Sequence, residues 1–195
     1  MTKLALLRHG ATDWNAAGRM QGRRDVPLSQ AGRAALAGLG PPLEVAAFEW
    51  LSSPLVRAVE TAELLSGQSP ALEPRLVELD WGEWEGQTLP ELRAAHPEMA
   101  ANEDRGLDFQ PPGGESPRQV QDRLRPLLAE LAGRPPTVAV THLGVMRAIM
   151  ALAYDWPMLG RPPLKLERQA MHFFALEADG RPRPGGPSLA LREAS

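Results

Sequence analysis

Two histidines and two arginines in this sequence follow apolar segments at spacings suited to holding an anion. Arg8 and His9 come directly after the apolar run 4–7, and His142 comes directly after the apolar run 137–141. Arg57 lies about one helical turn beyond a third apolar segment, residues 48–52. A guanidinium binds two phosphate oxygens at once, in a geometry that lysine cannot copy, and a neutral imidazole is a nucleophile. These four residues therefore predict a phosphate pocket that contains a histidine.

The three apolar segments are predicted to be buried strands of an α/β fold. Helical segments alternate with them, and we predict helices at residues 29–39, 54–65, 89–95, 116–131 and 144–153, with two further strands at 173–177 and 189–191. This alternation predicts a three-layer α/β/α sandwich with a mostly parallel central sheet, in one domain of residues 1–195. Ligands of such sheets bind beyond the carboxyl ends of the strands. We therefore expect the three motifs to meet there, around one tetrahedral anion.

Polar and proline-rich segments divide these elements. Ser29, Ser53 and Ser116 are the predicted helix N-caps, and the last two are followed by proline. Residues 11–27 are predicted to form one long loop, of a kind that is often functional. Residues 89–112 are expected to cover the pocket, and the side chains in them that are candidates for substrate contact are Arg93, His96, Arg105 and Phe109.

Each motif alone has a more ordinary interpretation. An Arg-His pair after a strand is usually a surface turn, and Arg57 alone would be a solvated charge, so only the combination favours a site. A metal centre built from His9 and His142 with carboxylates is opposed by the two arginines, which repel a cation. We therefore predict no metal and no other cofactor. His172 has no such setting and is predicted to be structural, as is His96 unless it contacts substrate.

The composition is that of a globular protein, with 43% of the 195 residues apolar and 23% charged. The formal net charge of −3 gives no reason to expect a nucleic-acid or membrane-surface partner, so a bound anion needs a local cluster of positive groups. No cysteine is present, which excludes thiol catalysis and disulfides. No leader segment or membrane span is recognised, and a cytoplasmic location is expected. The sequence makes no prediction of the oligomeric state.

Taken together, the motifs resemble a known family. Residues 7–15, Leu-Arg-His-Gly-Ala-Thr-Asp-Trp-Asn, are similar to the phosphohistidine signature of the histidine phosphatase superfamily, in its phosphoglycerate mutase-like branch. Residues 19–32, 52–62, 76–86, 112–116 and 140–142 match further segments of the same pattern. One position departs from it: Leu143 stands where the family commonly has glycine. We expect that change to affect the shape of the substrate more than catalysis.

The resemblance implies a phosphoenzyme mechanism that needs no cofactor. His9 is the expected nucleophile, and Arg8, Arg57 and His142 are expected to neutralise the phosphate oxygens. Further residues are expected to contact the substrate or to lie on the loop that closes over it, namely Asn15, Gln21, Gly22 and Leu143.

The resemblance also selects one carboxylate as the general acid and base. It implies Glu78, whereas the spacing alone leaves three rivals, Asp80, Glu83 and Glu85. Trp81 and Trp84 lie in the same segment, and we expect packing rather than stacking on substrate for both.

The implied activity is hydrolysis of a small-molecule phosphomonoester. The mutases of the family carry a longer basic insertion in the interval where only twenty residues separate Arg57 from Glu78 here. An open pocket favours transfer of the phosphoryl group to water. A phosphoglycerate mutase and a non-catalytic phosphate-binding protein remain as alternatives. The substrate also stays open, among α-ribazole phosphate, sugar phosphates and glycolytic phosphates.

Overall fold

The computed structural model describes residues 1–194, and its centre is a seven-stranded sheet. The strands are β1 (Thr2–Arg8), β2 (Leu39–Gly40), β3 (Glu49–Ser52), β4 (Ala71–Leu72), β5 (Thr137–Thr141), β6 (Ala170–Leu176), β7 (Pro182–Pro184), β8 (Leu189–Ala190) and β9 (Arg192–Glu193). The main sheet has the order β4-β3-β5-β1-β6-β7, and β8 also pairs with β6. Strands β4, β3, β5 and β1 are parallel, whereas β6, β7 and β8 are antiparallel. The sheet is thus mostly parallel, as predicted, and β2 pairs with β9 separately.

Helices cover both faces of this sheet. They are α1 (Asp13–Ala16), α2 (Gln30–Leu36), α3 (Val56–Ser66), α4 (Leu89–Ala95), α5 (Met99–Glu103), α6 (Pro117–Ala132) and α7 (Leu143–Tyr154). Short 3₁₀ turns occupy Leu43–Val45, Pro74–Leu76, Gly82–Trp84 and Gly106–Asp108. Within residues 1–194, no helix combines the length and the apolar character needed to cross a bilayer.

Alternating side chains of the central strands produce the three layers. Leu4 and Leu6 of β1 pack into a core that includes α6 and α7. Ala5 and Leu7 point to the other face, into a core that includes α2 and α3. All four are at most 1% exposed. A continuous apolar run is the pattern of a strand buried on both faces, so the prediction of a three-layer α/β/α sandwich is confirmed.

The prediction of one uninterrupted loop at residues 11–27 is wrong, because α1 lies within it. The hydroxyl of Thr12 accepts a hydrogen bond from the Asn15 amide, and the Asn15 side chain accepts one from the Thr12 amide, both at 3.1 Å. This reciprocal cap stabilises a helix of only four residues. So short a helix shows no apolar periodicity, which is why the pattern did not reveal it.

Two of the three predicted N-caps are confirmed and one is wrong. The hydroxyls of Ser29 and Ser116 accept hydrogen bonds from the first turns of α2 and α6. Ser53 does not cap α3, which begins at Val56 after the N-cap residue Leu55. The Ser53 hydroxyl instead lies 2.8 Å from Nε2 of His142. Its proximity to the histidine makes it part of the site described below.

Element lengths also differ from the prediction near two chain reversals. Helix α2 ends at Leu36 rather than at residue 39, because Gly38 has a left-handed φ of 76° and Leu39 begins β2. Strands β4 and β7 were not predicted. They are two and three residues long and lie at the two ends of the main strand order, where pairing depends on the neighbouring strand more than on local sequence.

Candidate active site

The three motif-bearing turns meet at the carboxyl edge of the parallel strands. Strands β1 and β3 pair with β5 on its two sides. Each pairing extends one residue beyond the strand end: the His9 amide donates to the Thr141 carbonyl at 3.0 Å, and the Ser53 amide donates to the Val140 carbonyl at 2.9 Å. The backbone ladder thereby fixes where His9 and Ser53 sit relative to β5. The predicted convergence of the three segments is confirmed.

A cavity of about 230 Å³ opens at this point. Eight of the nine predicted site residues line it, and the ninth, His142, is fully buried beside His9, with 5.1 Å between the ring centroids. The lining residues are Arg8, His9, Asn15, Arg19, Met20, Gln21, Gly22, Arg57, Glu78, Leu79, Trp81, Leu143, Gly144 and Arg147.

His9 is held with one ring nitrogen turned to the backbone. Its side chain is almost fully buried, and Nδ1 lies 2.6 Å from the carbonyl oxygen of Gly10. Because a carbonyl can only accept, Nδ1 carries the proton and Nε2 of the neutral ring keeps its lone pair. Burial lowers the pKa of His9 well below the usual value, and the positive charges of Arg57 and Arg8 lower it further. The ring is therefore neutral near pH 7, in the tautomer that a nitrogen nucleophile requires.

The turn after His9 is braced by α3. The Gly10 amide donates to Oγ1 of Thr61 at 2.9 Å, and the Thr61 hydroxyl donates to the Arg57 carbonyl at 2.6 Å. A β-carbon on Gly10 would come within 2.9 Å of the Leu36 side chain, so the turn packs closely on α2 as well. These contacts hold the nucleophile's carbonyl partner in place.

His142 has one partnered and one unpartnered nitrogen. Its Nε2 lies 2.8 Å from Oγ of Ser53, whereas Nδ1 is buried and makes no hydrogen bond within residues 1–194. When the serine hydroxyl donates to Nε2, the proton of the neutral ring is on Nδ1 and is free to donate to an anion. Burial lowers the pKa of His142 well below the usual value, and His9 and Arg57 add to this effect.

Arg57 is completely buried, and part of its guanidinium group binds the loop before α2. Its Nη1 donates to the Arg24 carbonyl and its Nη2 to the Gly22 carbonyl, each at 2.7 Å. The sequence suggested that the whole guanidinium fork would be available to phosphate. The structure shows instead that both terminal nitrogens already hold the segment 22–24, while Nε has no partner among the described residues.

Unpartnered buried polar atoms concentrate at this site. Within residues 1–194 four buried side-chain nitrogens lack a hydrogen-bond partner, and three of them are Nε of Arg8, Nε of Arg57 and Nδ1 of His142. Burial lowers the pKa of Arg8 to about 10, with repulsion from Arg168 as the next cause. Buried donors without acceptors are costly, and an anion with several oxygens satisfies them together.

Glu78 is the carboxylate that the fold delivers to the cavity. Its Oε1 accepts from the Leu79 amide at 2.8 Å, and its Oε2 accepts from the Gly144 amide at 3.3 Å at the start of α7. A β-carbon at position 144 would lie 2.5 Å from Oε1, so glycine there leaves room for the carboxylate. This close approach is the physical reason for a glycine at position 144.

The rival carboxylates are engaged elsewhere. Asp80 accepts from the Gly82 amide at 2.8 Å, Glu85 pairs with Arg24 at 3.2 Å, and Glu83 is exposed. None of the three lines the cavity, whereas Glu78 does. The structure thereby separates four carboxylates that spacing alone could not.

The remaining predicted residues line the cavity in a connected set. Oε1 of Gln21 accepts from the Thr12 hydroxyl at 3.0 Å, which ties residue 21 to the cap of α1. Gly22 has a left-handed φ of 51° and places its carbonyl on Arg57. Leu143 begins α7 at the cavity wall, and Asn15 contributes its side chain from α1.

The expectation that residues 89–112 cover the pocket is wrong, because none of them lines the cavity. Arg93 pairs with Glu103 at 2.9 Å, Arg105 bonds to Asn102, and neither lines the cavity. His96 and Phe109 instead pack against the buried ring of Trp84, at 5.4 and 5.9 Å between centroids. This segment builds its own small core, in which Leu92 and Met99 pack in one apolar cluster with Trp84. None of the residues 89–112 lines the phosphate pocket.

The two tryptophans and the fourth histidine are also placed by the structure. Trp84 is 1% exposed and packs, as predicted. Trp81 packs edge-on against Phe109, as predicted, and in addition lines the cavity. His172 is fully buried outside the cavity, 2.7 Å from the Ser188 hydroxyl and 3.0 Å from the Glu167 carbonyl, which confirms its structural role.

Arg168 was missed by the sequence interpretation. Its Nη1 donates to the carbonyls of His9 and Gly10, at 3.1 and 3.3 Å, and to Oδ1 of Asn15 at 3.3 Å. It therefore holds the same Gly10 carbonyl that orients the His9 ring. The partners lie more than 150 residues apart in the chain, and no local pattern marks the arginine.

Within residues 1–194, no group of three or more histidine and carboxylate side chains is placed to hold a metal ion. The charged groups around the cavity are arginines with one carboxylate, Glu78. Such a donor set suits an anion and a proton-transfer group.

Comparison with known proteins agrees with this geometry. A family model described as the histidine phosphatase superfamily, branch 1, matches residues 4–181. The glucosyl-3-phosphoglycerate phosphatase of Mycolicibacterium vanbaalenii is 37% identical over 184 residues, which cover 81% of this chain and 79% of that protein. The chain belongs to the histidine phosphatase superfamily. It is a phosphomonoester hydrolase of that family.

Solved structures give the same result for the fold. Bacillus stearothermophilus YhfR superposes with a TM-score of 0.78 at 30% identity, covering 94% of this chain and 95% of that one. The mycobacterial glucosyl-3-phosphoglycerate phosphatase Rv2419c, solved with VO₃, has a TM-score of 0.74 at 31% identity and covers 94% and 96% of the two chains. The architecture is that of the phosphoglycerate mutase-like histidine phosphatases.

Proposed function

We propose that the protein hydrolyses small-molecule phosphomonoesters through a phosphohistidine intermediate on His9. One observation carries the proposal. Within residues 1–194, three buried nitrogens without a partner, on Arg8, Arg57 and His142, lie at the same site as a neutral imidazole whose Nδ1 is bonded to a carbonyl. This arrangement needs a multiply charged oxyanion and presents a nitrogen lone pair to it.

In the first half-reaction, Nε2 of His9 attacks phosphorus in line with the ester oxygen. The N–P bond forms as the P–O ester bond breaks, and the departing electron pair stays on the ester oxygen. Glu78 in its acid form gives that oxygen a proton, which matters most for a basic alkoxide. The guanidinium groups of Arg8 and Arg57 stabilise the charge on the equatorial oxygens, and Nδ1 of His142 donates to one of them.

In the second half-reaction, water replaces His9 on phosphorus. Glu78, now a carboxylate, takes a proton from the water as its oxygen forms the new P–O bond, and the N–P bond breaks. The products are inorganic phosphate and the free neutral imidazole. The charges of Arg57 and Arg8, together with burial, disfavour protonation of His9, so the released nitrogen is ready for another cycle.

The relatives indicate the kind of ester. Proteins named as glucosyl-3-phosphoglycerate phosphatases share 37% identity with this chain, and one named phosphoserine phosphatase 1, from Hydrogenobacter thermophilus, shares 34%. Both names describe phosphate on the primary or secondary hydroxyl of a small organic acid. We propose that this chain acts on the same chemical class.

Hydrolysis is favoured over mutase activity by the open surroundings of the cavity. Between Arg57 and Glu78 the chain forms the rest of α3, the two-residue β4 and one 3₁₀ turn, with no further insertion. No residue between Arg57 and Glu78 lines the cavity, so none of these segments encloses it. A mutase must keep water from its phosphoenzyme, whereas here water has access.

The test is turnover of p-nitrophenyl phosphate, with and without EDTA, by the wild type and by His9→Ala. We expect turnover that survives the chelator and is lost in His9→Ala. The matched control is His96→Ala, which removes a half-exposed histidine outside the cavity and is expected to retain turnover. A protein that binds phosphate without turnover would instead be the non-catalytic binder, and product formed only from phosphoglycerate isomers would identify a mutase.

A further inference from the structure

A second and larger cavity adjoins the phosphate pocket. Its volume is about 710 Å³, and it shares three lining residues with the smaller cavity, namely Arg8, Leu143 and Arg147. Leu143, Arg147 and Met150 are spaced at i, i+4 and i+7, so one face of α7 forms the shared wall. A substrate whose phosphate lies beside His9 therefore extends the rest of its structure along this face.

Two arginines in this region lack a close counter-ion among residues 1–194, although the charge of Glu78 acts on Arg147 from the adjoining phosphate pocket. Within residues 1–194, the side chains of Arg147 and Arg161 make no hydrogen bond and no ion pair. Lys165 also lines the cavity, but its ammonium group is paired with Glu167 at 2.8 Å, so its charge already has a counter-ion. Among the residues that the structure describes, no carboxylate side chain lines this larger cavity. The remaining wall is apolar, formed by prolines and leucines of residues 162–166.

The segment that carries Arg161 is held in place at several points. The Trp156 indole donates to the Leu159 carbonyl at 2.8 Å, and the Leu107 amide donates to the Pro157 carbonyl at 3.2 Å. Leu164 and Leu166 pack against the main core. The backbone on both sides of Arg161 is therefore held in place, while the arginine side chain itself is exposed. A fixed backbone lowers the part of the entropic cost of binding that comes from ordering the chain.

We propose that Arg147 and Arg161 bind a second anionic group of the substrate, a carboxylate or a further phosphate, while the first phosphate lies beside His9. This assignment rests on the proposed function and deepens it by naming the residues that recognise the second negative charge of the substrate. Leu143 stands at the junction of the two cavities and packs against the carbon chain between the two anionic groups. Its presence in place of glycine then shapes the substrate without altering the phosphate contacts.

The experiment measures binding rather than turnover. In the His9→Ala background, isothermal titration calorimetry compares 3-phosphoglycerate with glycerol 3-phosphate, which has the same carbon chain with a hydroxyl in place of the carboxylate. Propane-1,3-diol bisphosphate adds an arm with a second phosphate. We expect either or both of the doubly anionic probes to bind about tenfold tighter than glycerol 3-phosphate, or more, because each charged hydrogen bond contributes strongly in a site of this kind. The probe that gains identifies the group.

Substitution of the arginines assigns the gain to this cavity. Arg147→Gln combined with Arg161→Gln is expected to remove the preference for the anionic probes, with a much smaller loss for glycerol 3-phosphate. The matched control is Arg134→Gln, an exposed arginine just before β5 and hence at the opposite edge of the sheet, which is expected to keep the preference.

Equal affinity for all three probes, or a preference that persists without the two arginines, overturns the proposal. Equal loss of affinity for all three probes in the double variant also overturns it. Such a loss would mean that the positive charges of the two arginines act only on the phosphate that all three probes share. The outcome is independent of turnover. If wild-type protein fails to hydrolyse p-nitrophenyl phosphate, the proposed function fails while the binding comparison still decides the second site.

Discussion

The substitution Glu78→Gln probes proton transfer with little change in shape. The carboxylate accepts from the Leu79 amide at 2.8 Å and from the Gly144 amide at 3.3 Å, one on each oxygen. A glutamine side chain has one oxygen, so it keeps one of these bonds and turns its NH₂ group toward the other donor. We therefore expect a stability loss of about 1 kcal/mol and an intact fold.

The loss of activity should depend on the leaving group. A positioned general acid contributes about 10²- to 10⁴-fold when the departing oxygen is a basic alkoxide. We expect Glu78→Gln to lower kcat for glycerol 3-phosphate within that range. For p-nitrophenyl phosphate, whose leaving group is stable as an anion, we expect a loss of about tenfold or less in the first half-reaction. Steady-state kinetics with both esters, with release of the alcohol followed in the first turnover, measure the difference.

A neighbouring carboxylate provides the control. Glu83 is exposed and lies outside the cavity, so Glu83→Gln removes the same charge type without touching the site. It is expected to leave both activities unchanged. An equal loss for the two esters in the first-turnover release of the leaving group in Glu78→Gln, or no loss for the alkyl ester, would refute the acid role of Glu78.

Three further predictions concern the surroundings of the nucleophile. Gly144→Ala places a β-carbon 2.5 Å from Oε1 of Glu78, so the carboxylate must move. We expect about a tenfold loss of kcat for an alkyl phosphate, with the thermal midpoint of unfolding nearly unchanged. A loss of the fold would contradict this account. Arg57→Lys removes the fork that holds the Gly22 and Arg24 carbonyls, and we expect kcat to fall about 10²- to 10³-fold, whereas wild-type kinetics would show that charge alone suffices. Burial lowers the pKa of His142 in the folded protein, so below its ordinary pKa of about 6.5 the unfolded chain binds a proton that the folded one does not. The free energy of unfolding should accordingly rise with pH up to about 7 and fall as the pH drops toward 5. Urea unfolding should show a weaker pH dependence in His142→Gln. An unchanged pH dependence in that variant would count against a neutral buried ring.

Much of the fold could be predicted because its central strands are buried on both sides. Residues 4–7 and 138–140 are apolar throughout, and this pattern distinguishes them from amphipathic surface strands. Ser116 followed by proline and Gln119 placed the start of α6 correctly, since a capping box is a local interaction. The strand ends then located three side chains of the site, His9, Arg57 and His142, relative to one another.

Other features depend on contacts that the sequence does not encode locally. Arg168 reaches the His9 and Gly10 carbonyls from the segment before β6, and Arg147 lines the cavity only because of the rotation of α7. Residues 89–112 contain polar side chains that suit a lid, but burial of Trp84 organises this segment around its own core. In each case tertiary packing, rather than local pattern, decides where the side chain lies.

The most direct measurement is chemical trapping of the phosphoenzyme. Wild-type protein is mixed with a phosphomonoester, quenched in alkali within the first turnover, digested, and analysed for a phosphoryl group by mass spectrometry. We predict a base-stable, acid-labile phosphoryl group on His9, which accumulates further when Glu78→Gln slows attack by water. Turnover that continues in His9→Ala, or a first-turnover phosphoryl group on a residue other than His9, would contradict the mechanism.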